Sequence, residues 1–192
     1  MEDVLAVIKR AVNSSKGNNK NNQESFLIAI DGRCAAGKTT LASRLQEELD
    51  CNVIHMDYFF LQPSQRTTKR FNEPGGNVDY ERFLEEVMIP LKKGKTFSYR
   101  RFDCKTMDFS EEIEVCPSKI TIVEGAYSCH SMLWDYYDMR IFLNVEPEEQ
   151  LKRILHRNGE KALDMFRERW IPLEEKYFSE YNIMERCDYI FN

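Results

Sequence analysis

The sequence contains no long apolar run, and this absence limits the classes of protein that it can encode. No segment approaches the roughly 20 consecutive apolar residues that a membrane-spanning helix needs. The N-terminal stretch MEDVLAVIKR also lacks the apolar core of a secretory signal. We therefore expect a cytoplasmic protein with no membrane partner.

Paired cysteines and an excess of basic charge are missing as well. The six cysteines lie far apart with no C-x-x-C pair, which favours free thiols over disulfides. A net charge of −5 argues against nucleic acid as a partner, because nucleic-acid binding usually needs a basic face. Exposed apolar faces cannot be told from core by sequence alone, so a homo-oligomeric state stays open.

The apolar segments that are present are short and alternate with helical patterns. Five of them predict buried strands: SFLIAIDG (25–32), NVIHMD (52–57), KITIVEGAY (119–127), MRIFLNV (139–145) and CDYIF (187–191). Helical spacing of apolar residues marks 2–12, 38–49, 79–91, 147–157 and 161 to about 181. This alternation predicts an α/β fold, a three-layer α/β/α sandwich around a five-stranded parallel sheet.

The chain divides into two predicted regions. Residues 1–25 are expected to form a helix and an exposed Asn-rich linker, NSSKGNNKNNQES (13–25), and residues 26–192 to form one domain. Within 96–115 polar and apolar residues alternate with a period near two, which predicts a β-hairpin. We expect this hairpin to belong to an insert on the substrate side, about 61–115.

The strongest motif is GRCAAGKT, which fits G-x-x-x-x-G-K-[ST] between a predicted strand and a predicted helix. Its glycines let backbone N–H groups face phosphate oxygens, and the helix N-terminus adds positive potential. Lys38 is expected to reach the β- and γ-phosphates, and Thr39 to offer its hydroxyl to Mg²⁺. The candidate nucleotide-binding residues are Gly32, Arg33, Cys34, Ala35, Ala36, Gly37, Lys38, Thr39 and Thr40.

Two carboxylates close neighbouring predicted strands at the edge where this loop opens. Glu124 ends ITIVE and is a candidate Mg²⁺ ligand, with a helix cap or surface pair as the alternative. Asp57 ends NVIHMD, where it could orient an acceptor hydroxyl and take its proton, with a turn aspartate as the alternative. The chain has no N-K-x-D segment, which weakens a GTPase interpretation.

Together these segments resemble the uridine kinase and phosphoribulokinase family of P-loop kinases, which includes nicotinamide riboside kinases. GRCAAGKTT is similar to the family phosphate loop, HMDYFF to its acidic-aromatic segment, VEG to its acidic strand end and NVDY to its acceptor segment. The resemblance runs from about Phe26 to the C-terminus. It implies ATP and Mg²⁺, Asp57 as general base, Glu124 near Mg²⁺ and Asp79 at ribose hydroxyls. From the residues alone, Asp79 could equally cap a helix.

A basic segment follows the fourth predicted strand. Arg153 and Arg157 are four residues apart on one predicted helix face, which could aim two guanidinium groups at one phosphate chain. A solvated charged face is the alternative. The resemblance implies a helical lid here, about 153–168, that closes over ATP and supplies these catalytic arginines.

The acceptor side is marked by basic and aromatic residues. Arg66 follows Asp57, and the predicted hairpin carries Tyr99 and Arg101. A negatively charged or polyhydroxylated acceptor would suit them. Of the three aromatics after Asp57, at most one is assigned to a ligand, and Tyr58 is the candidate. The hairpin lacks the histidine that uridine kinases place there, which puts pyrimidine specificity in doubt.

These observations predict a kinase that transfers the γ-phosphoryl group of ATP to a free hydroxyl of a small molecule. A nucleoside or nucleoside-like compound is favoured as acceptor. The rival hypothesis is a nucleotide-binding regulator or assembly ATPase, in which hydrolysis drives a conformational switch. Acceptor-dependent ADP release distinguishes the two.

Overall fold

The computed structural model describes residues 2–15 and 25–192. In this part of the chain, five parallel strands form one sheet in the order β2-β5-β1-β6-β7, and two antiparallel strands form a separate hairpin. The strands are β1 (Phe26–Gly32), β2 (Asn52–His55), β3 (Phe97–Asp103), β4 (Asp108–Val115), β5 (Ile120–Glu124), β6 (Met139–Leu143) and β7 (Tyr189–Phe191). The predicted α/β sandwich with its hairpin is confirmed.

Helices cover both faces of the sheet. They are α1 (Glu2–Ser15), α2 (Lys38–Leu49), α3 (Thr68–Asn72), α4 (Tyr80–Phe83), α5 (Ile89–Lys92), α6 (Pro147–Asn158), α7 (Glu160–Met165), α8 (Ile171–Tyr181) and α9 (Ile183–Arg186). π-Helical turns at Leu84–Met88 and Phe166–Trp170 join α4 to α5 and α7 to α8. No described helix has the length and apolar character needed to cross a membrane.

The side chains of β1 explain the layers, because successive residues of a strand point to opposite faces. Leu27 and Ala29 join one core cluster, and Ile28 and Ile30 join the other. The second cluster also contains the apolar faces of α2 and of α1, where Ile8 is fully buried. The N-terminal helix therefore shares a core with the sheet. The predicted linker lies largely outside the described residues, and the division at residue 25 stays a prediction.

The hairpin contains a β-bulge in its second strand. The pairing of β3 with β4 shifts between Arg100 and Phe102, and a bulge inserts an extra residue into one strand of a pair. The extra residue lies in β4, where Ser110 and Glu111 lie opposite Arg101 of β3. Tyr99 and Phe102 of β3 are both buried. Tyr99 packs against Phe59, with 5.3 Å between ring centroids.

Parallel pairing brings the carboxyl ends of three strands to one edge. β5 lies between β1 and β2, with Glu124 in register with Ile30 on one side and with His55 on the other. Ligands of open parallel sheets bind outside the carboxyl ends of the strands. The phosphate-loop sequence and both candidate carboxylates leave the sheet at this edge.

Candidate active site

The loop between β1 and α2 is held in a tight curl by its glycines and its lysine. Gly32 has a φ of 133°, and a Cβ there would overlap the backbone of Leu143. Gly37, with a φ of 96°, precedes α2. The Lys38 ammonium group donates to the carbonyl oxygens of Gly32 at 2.7 Å and Arg33 at 2.8 Å. The loop thus presents backbone N–H groups and a helix N-terminus, a combination suited to phosphate.

Thr39 and Glu124 meet beside this loop. The Thr39 hydroxyl donates to both carboxylate oxygens of Glu124, at 3.2 Å each. Glu124 is almost fully buried, and its Oε1 atom lies 2.5 Å from Nδ1 of His55. A hydroxyl and a carboxylate in contact form an oxygen-rich donor set of the kind that Mg²⁺ prefers.

Asp57 lies in a 3₁₀ turn, Met56–Phe59, directly after β2. The strand ends at His55, two residues earlier than the sequence pattern predicted. The Asp57 side chain is exposed to the cavity. The protein atoms that surround the cavity nevertheless reduce the contact of the carboxyl group with bulk water. This loss of solvation and the negative charge of Glu124 raise the pKa of the Asp57 carboxyl, while Lys38, His55 and Arg157 oppose the shift. A carboxylate with a raised pKa accepts a proton more readily than an ordinary aspartate.

These groups share one cavity of about 730 Å³. Phosphate-loop residues, both carboxylates and three arginines line it together with apolar groups: Cys34, Ala35, Gly37, Lys38, Thr39, Thr40, Asp57, Phe60, Arg66, Asn77, Cys104, Glu124, Gly125, Ala126, Tyr127, Arg153, Arg157, Met165, Phe166, Trp170 and Glu174. Its volume falls within the range typical of small-molecule sites. Positive, negative and aromatic groups therefore face one shared cavity.

The two predicted lid arginines both line this cavity. Arg153 is held by Glu149, with Nε to Oε1 at 2.8 Å, and donates to the Ala35 carbonyl of the phosphate loop at 3.3 Å. Arg157 lies one turn further along α6 and donates to Asn158. The helical conformation is interrupted at Gly159, which separates α6 from α7. Met165, Phe166 and Trp170 add apolar surface to the side of the cavity that Arg153 and Arg157 line.

Several predicted acceptor residues lie away from the cavity lining. Tyr99 is in the core, and Tyr58 is covered by the Arg101 guanidinium at 4.6 Å from its ring centroid. Arg101 pairs with Glu111 at 2.9 Å. Of the three aromatics after Asp57, Phe60 rather than Tyr58 lines the cavity. The contacts of Tyr58, Tyr99 and Arg101 thus tie the hairpin to the body of the protein.

Asp79 has the local geometry of a helix cap. Its carboxylate accepts from the Arg82 amide at 3.1 Å and from the Gln65 side chain at 2.8 Å. It is nearly buried and is not part of the cavity lining. The capping alternative describes these contacts, and a role at acceptor hydroxyls stays a prediction.

Two buried carboxylates near the loop were not singled out from the sequence. Glu174 of α8 accepts from the Cys34 amide at 3.0 Å, and burial raises its pKa. Asp31 of β1 accepts from the Tyr177 hydroxyl at 2.8 Å and from the Cys129 amide at 2.9 Å. Both connect segments about 100 residues or more apart, which local sequence spacing does not reveal.

The surroundings of the Cys34 thiol disfavour its thiolate, which is the nucleophilic form. Burial and the nearby Glu174 carboxylate raise the pKa of Cys34 to about 12. His130 is buried and stacked on Tyr80, with ring centroids 4.0 Å apart.

Comparisons with known proteins agree with this architecture. Residues 28–170 match the family model described as an AAA domain. A uridine kinase from Chlamydia pneumoniae is 27% identical over 169 residues, which cover 79% of this chain and 75% of that protein.

Two solved structures share the fold. One, described as a possible uridine kinase from Bacillus stearothermophilus, has a TM-score of 0.69 at 18% identity and covers 96% of this chain and 99% of its own. The other, a putative fructose transport system kinase from Silicibacter sp. TM1040, has a TM-score of 0.74 at 20% identity and covers 98% of each chain.

The fold and the phosphate loop define a P-loop nucleotide-binding protein, and the similarity to uridine kinases indicates a small-molecule kinase. The chain belongs to the AAA domain family, and its sequence is similar to uridine kinases.

Proposed function

We propose that this protein transfers the γ-phosphoryl group of ATP, in the presence of Mg²⁺, to a hydroxyl group of a nucleoside or nucleoside-like compound. One observation carries the proposal: the Asp57 carboxylate lines the same cavity as Lys38, Thr39 and Glu124. A carboxylate beside a phosphate loop can orient the acceptor hydroxyl group and accept its proton during phosphoryl transfer. The similarity to uridine kinases supports a nucleoside-like acceptor.

The loop residues fit a nucleotide with its metal ion. Gly37 leaves open space where a Cβ would stand, with no atom within 4 Å, so phosphate oxygens can approach the backbone. Lys38 would bind the β- and γ-phosphates. Thr39 and Glu124 would hold Mg²⁺, which when bound offsets negative charge on the phosphates.

Asp57 would act as the general base. Its carboxylate accepts the proton of the acceptor hydroxyl as the new bond from that oxygen to the γ-phosphorus forms. The bond from the γ-phosphorus to the bridging oxygen breaks, and ADP leaves with that oxygen. His55 supports this role, because its ring lies beside Glu124 and its charge, when present, favours ionised Asp57.

The wall formed by α6, α7 and the π-helical turn would exclude water from the reaction. Arg153 and Arg157 would lie beside the transferring group, where positive charge offsets the charge that develops in the transition state. Met165 and Trp170 contribute apolar surface. Exclusion of water favours transfer to the acceptor over hydrolysis.

The test is an acceptor-dependent kinase assay with Asp57→Asn. Purified protein, Mg-ATP and a panel of nucleosides, sugars and hydroxy acids are incubated, and phosphorylated products are identified by mass spectrometry. We expect a product that falls at least 100-fold with Asp57→Asn and is unchanged by the control Asp135→Asn, which alters an exposed aspartate outside the cavity. Partner-stimulated ATP hydrolysis that survives Asp57→Asn, with no product from any acceptor, would favour a regulator and contradict the proposal.

A further inference from the structure

We call the part of the cavity lined by Phe60, Arg66, Asn77 and Cys104 its acceptor half. The guanidinium group in this half is that of Arg66. This residue follows Asp57 by nine positions, and it contacts segments distant from the phosphate loop. Its Nε atom donates to the Leu61 carbonyl at 2.9 Å, and one terminal nitrogen lies 3.8 Å from the Cys104 sulfur in the hairpin turn. Arg153, in contrast, contacts the phosphate loop itself at Ala35. Arg66 therefore belongs to the side of the cavity away from the nucleotide phosphates.

Arg66 differs from Arg70, Arg82 and Arg101 of the acceptor region in its partners. Arg70 pairs with Glu81 at 2.5 Å, Arg82 with Glu86 at 3.1 Å, and Arg101 with Glu111. In the described ranges, 2–15 and 25–192, no carboxylate forms an ion pair with Arg66, and its two bonds go to a carbonyl oxygen and a sulfur. Its positive charge is thus left for another group.

The Arg66 guanidinium group lies where a bound ligand could pair with its charge. The side chain is only partly exposed and lines the cavity. A guanidinium group presents paired N–H donors that match the two oxygens of a carboxylate or phosphate, and such charge-assisted bonds are stronger than neutral ones. The bond from Nε to Leu61 fixes the position of the group, and at least one terminal nitrogen keeps free donors.

The remaining groups on this side are suited to hydroxyls or rings rather than to a charge. Asn77 and Cys104 are neutral, and Phe60 offers an apolar ring. The nucleotide phosphates already have Lys38 and the arginines of α6. A second anion, distinct from the nucleotide, accounts for the placement of Arg66.

We propose that the phosphoryl acceptor carries an anionic group, a carboxylate or a phosphate monoester, that binds Arg66 while its hydroxyl lies at Asp57. This inference rests on the proposed kinase function and adds the requirement that the acceptor carry a negative charge. Arg66 is then the residue that makes the site specific for charged acceptors over their neutral counterparts. A neutral acceptor would leave a cavity-lining charge without a counter-charge.

Matched acceptor pairs test this inference. Uridine and orotidine differ by one carboxylate, glycerol and glycerate by another, and ribose and ribose 5-phosphate by a phosphate. Each is assayed with the wild-type protein, Arg66→Gln, Arg66→Lys and the control Lys69→Gln, which removes an exposed positive charge three residues away. The carboxylate and phosphate arms identify which anion is used.

We expect at least one anionic member to be phosphorylated with a kcat/KM at least 10-fold above that of its neutral counterpart. Arg66→Gln should raise the KM for this acceptor about 10- to 100-fold, the range that charged hydrogen bonds provide, with the KM for ATP unchanged. Arg66→Lys should lie between, because lysine keeps the charge without the paired donors. Lys69→Gln should match the wild type.

Direct binding separates failure of this inference from failure of the kinase assignment. Calorimetric titration of each anionic compound, in the presence of a non-hydrolysable ATP analogue and Mg²⁺, reports binding without turnover. Binding that depends on Arg66 supports the anionic subsite even if no compound is phosphorylated. Equal turnover of neutral and anionic members, an equal effect of Arg66→Gln on both, or no Arg66-dependent binding of any anionic compound would overturn it.

Discussion

Replacement of Gly125 by alanine should displace Asp57 without touching it chemically. Gly125 follows Glu124 at the end of β5 and has a φ of 135°, which residues with a side chain rarely adopt. A Cβ there would lie 2.9 Å from Cβ of Met56 and 3.3 Å from Oδ1 of Asp57. Met56 is fully buried, so the contact cannot be relieved by moving a flexible side chain into solvent.

The structure sets the size of both effects. The forced backbone conformation costs about 1–3 kcal/mol, and the close contact inside a packed core adds to it. A total of about 3 kcal/mol lowers Tm by roughly 6–12 °C in a chain of this size. A shift of the base by up to about 1 Å lowers kcat by roughly 10- to 100-fold.

Thermal denaturation and steady-state kinetics measure these effects separately. The control is Gly94→Ala, since Gly94 also has a positive φ, 61°, but follows α5 outside the cavity lining. Its Tm should fall while kcat stays at the wild-type value. If Gly125→Ala keeps wild-type kcat at a temperature where it is folded, the bare backbone at this position does not set the place of Asp57 and the reasoning is wrong.

Three further substitutions probe the metal site, the base and the core. Glu124→Gln should raise the Mg²⁺ concentration for half-maximal activity about 10-fold or more, because a carboxylate ligand is lost; a Mg²⁺ titration measures it. The raised pKa of Asp57 means that ionisation above the unfolded-state pKa costs stability. Asp57→Asn should therefore have a higher Tm than wild type at pH 8, and the difference should vanish towards pH 4. Tyr177→Phe removes the hydroxyl that donates to buried Asp31 and should destabilise by about 1–3 kcal/mol in denaturant titrations, while Tyr189→Phe, at an exposed edge, should not.

The parts of the fold that sequence could predict are those set by local periodicity. Buried parallel strands are continuous apolar runs, and the helix after the phosphate loop has regular spacing, so the unit from β1 to α2 follows from a short window. Asp57 and Glu124 could be assigned to one edge, because carboxyl ends of parallel strands gather there. The structure brings these two carboxylates to the cavity that Lys38 lines.

The parts that sequence could not predict depend on contacts between segments that are distant along the chain. The bond from Cys34 to Glu174 joins positions 140 residues apart, and no local spacing marks Glu174 among the other glutamates of its helix. Tyr99 is buried in the core against Phe59, and the alternating pattern of the hairpin does not specify which of its faces packs on the domain. His130 is buried because Tyr80 arrives from another segment and stacks on it.

Two of the aromatic residues after Asp57 have different roles: Phe59 packs in the core and Phe60 lines the cavity. Phe59 is fully buried, packs edge-on against Phe83 with centroids 4.7 Å apart, and lies under the Arg82 guanidinium at 4.0 Å. Because Phe59 shares the 3₁₀ turn with Asp57, its burial fixes the turn that carries the carboxylate. Phe60 has left the turn and lines the cavity. Truncation of Phe59 should therefore change the stability of the protein, whereas truncation of Phe60 should change the KM for the acceptor. The two substitutions thus distinguish the residues that hold the base in place from the surface that contacts the acceptor.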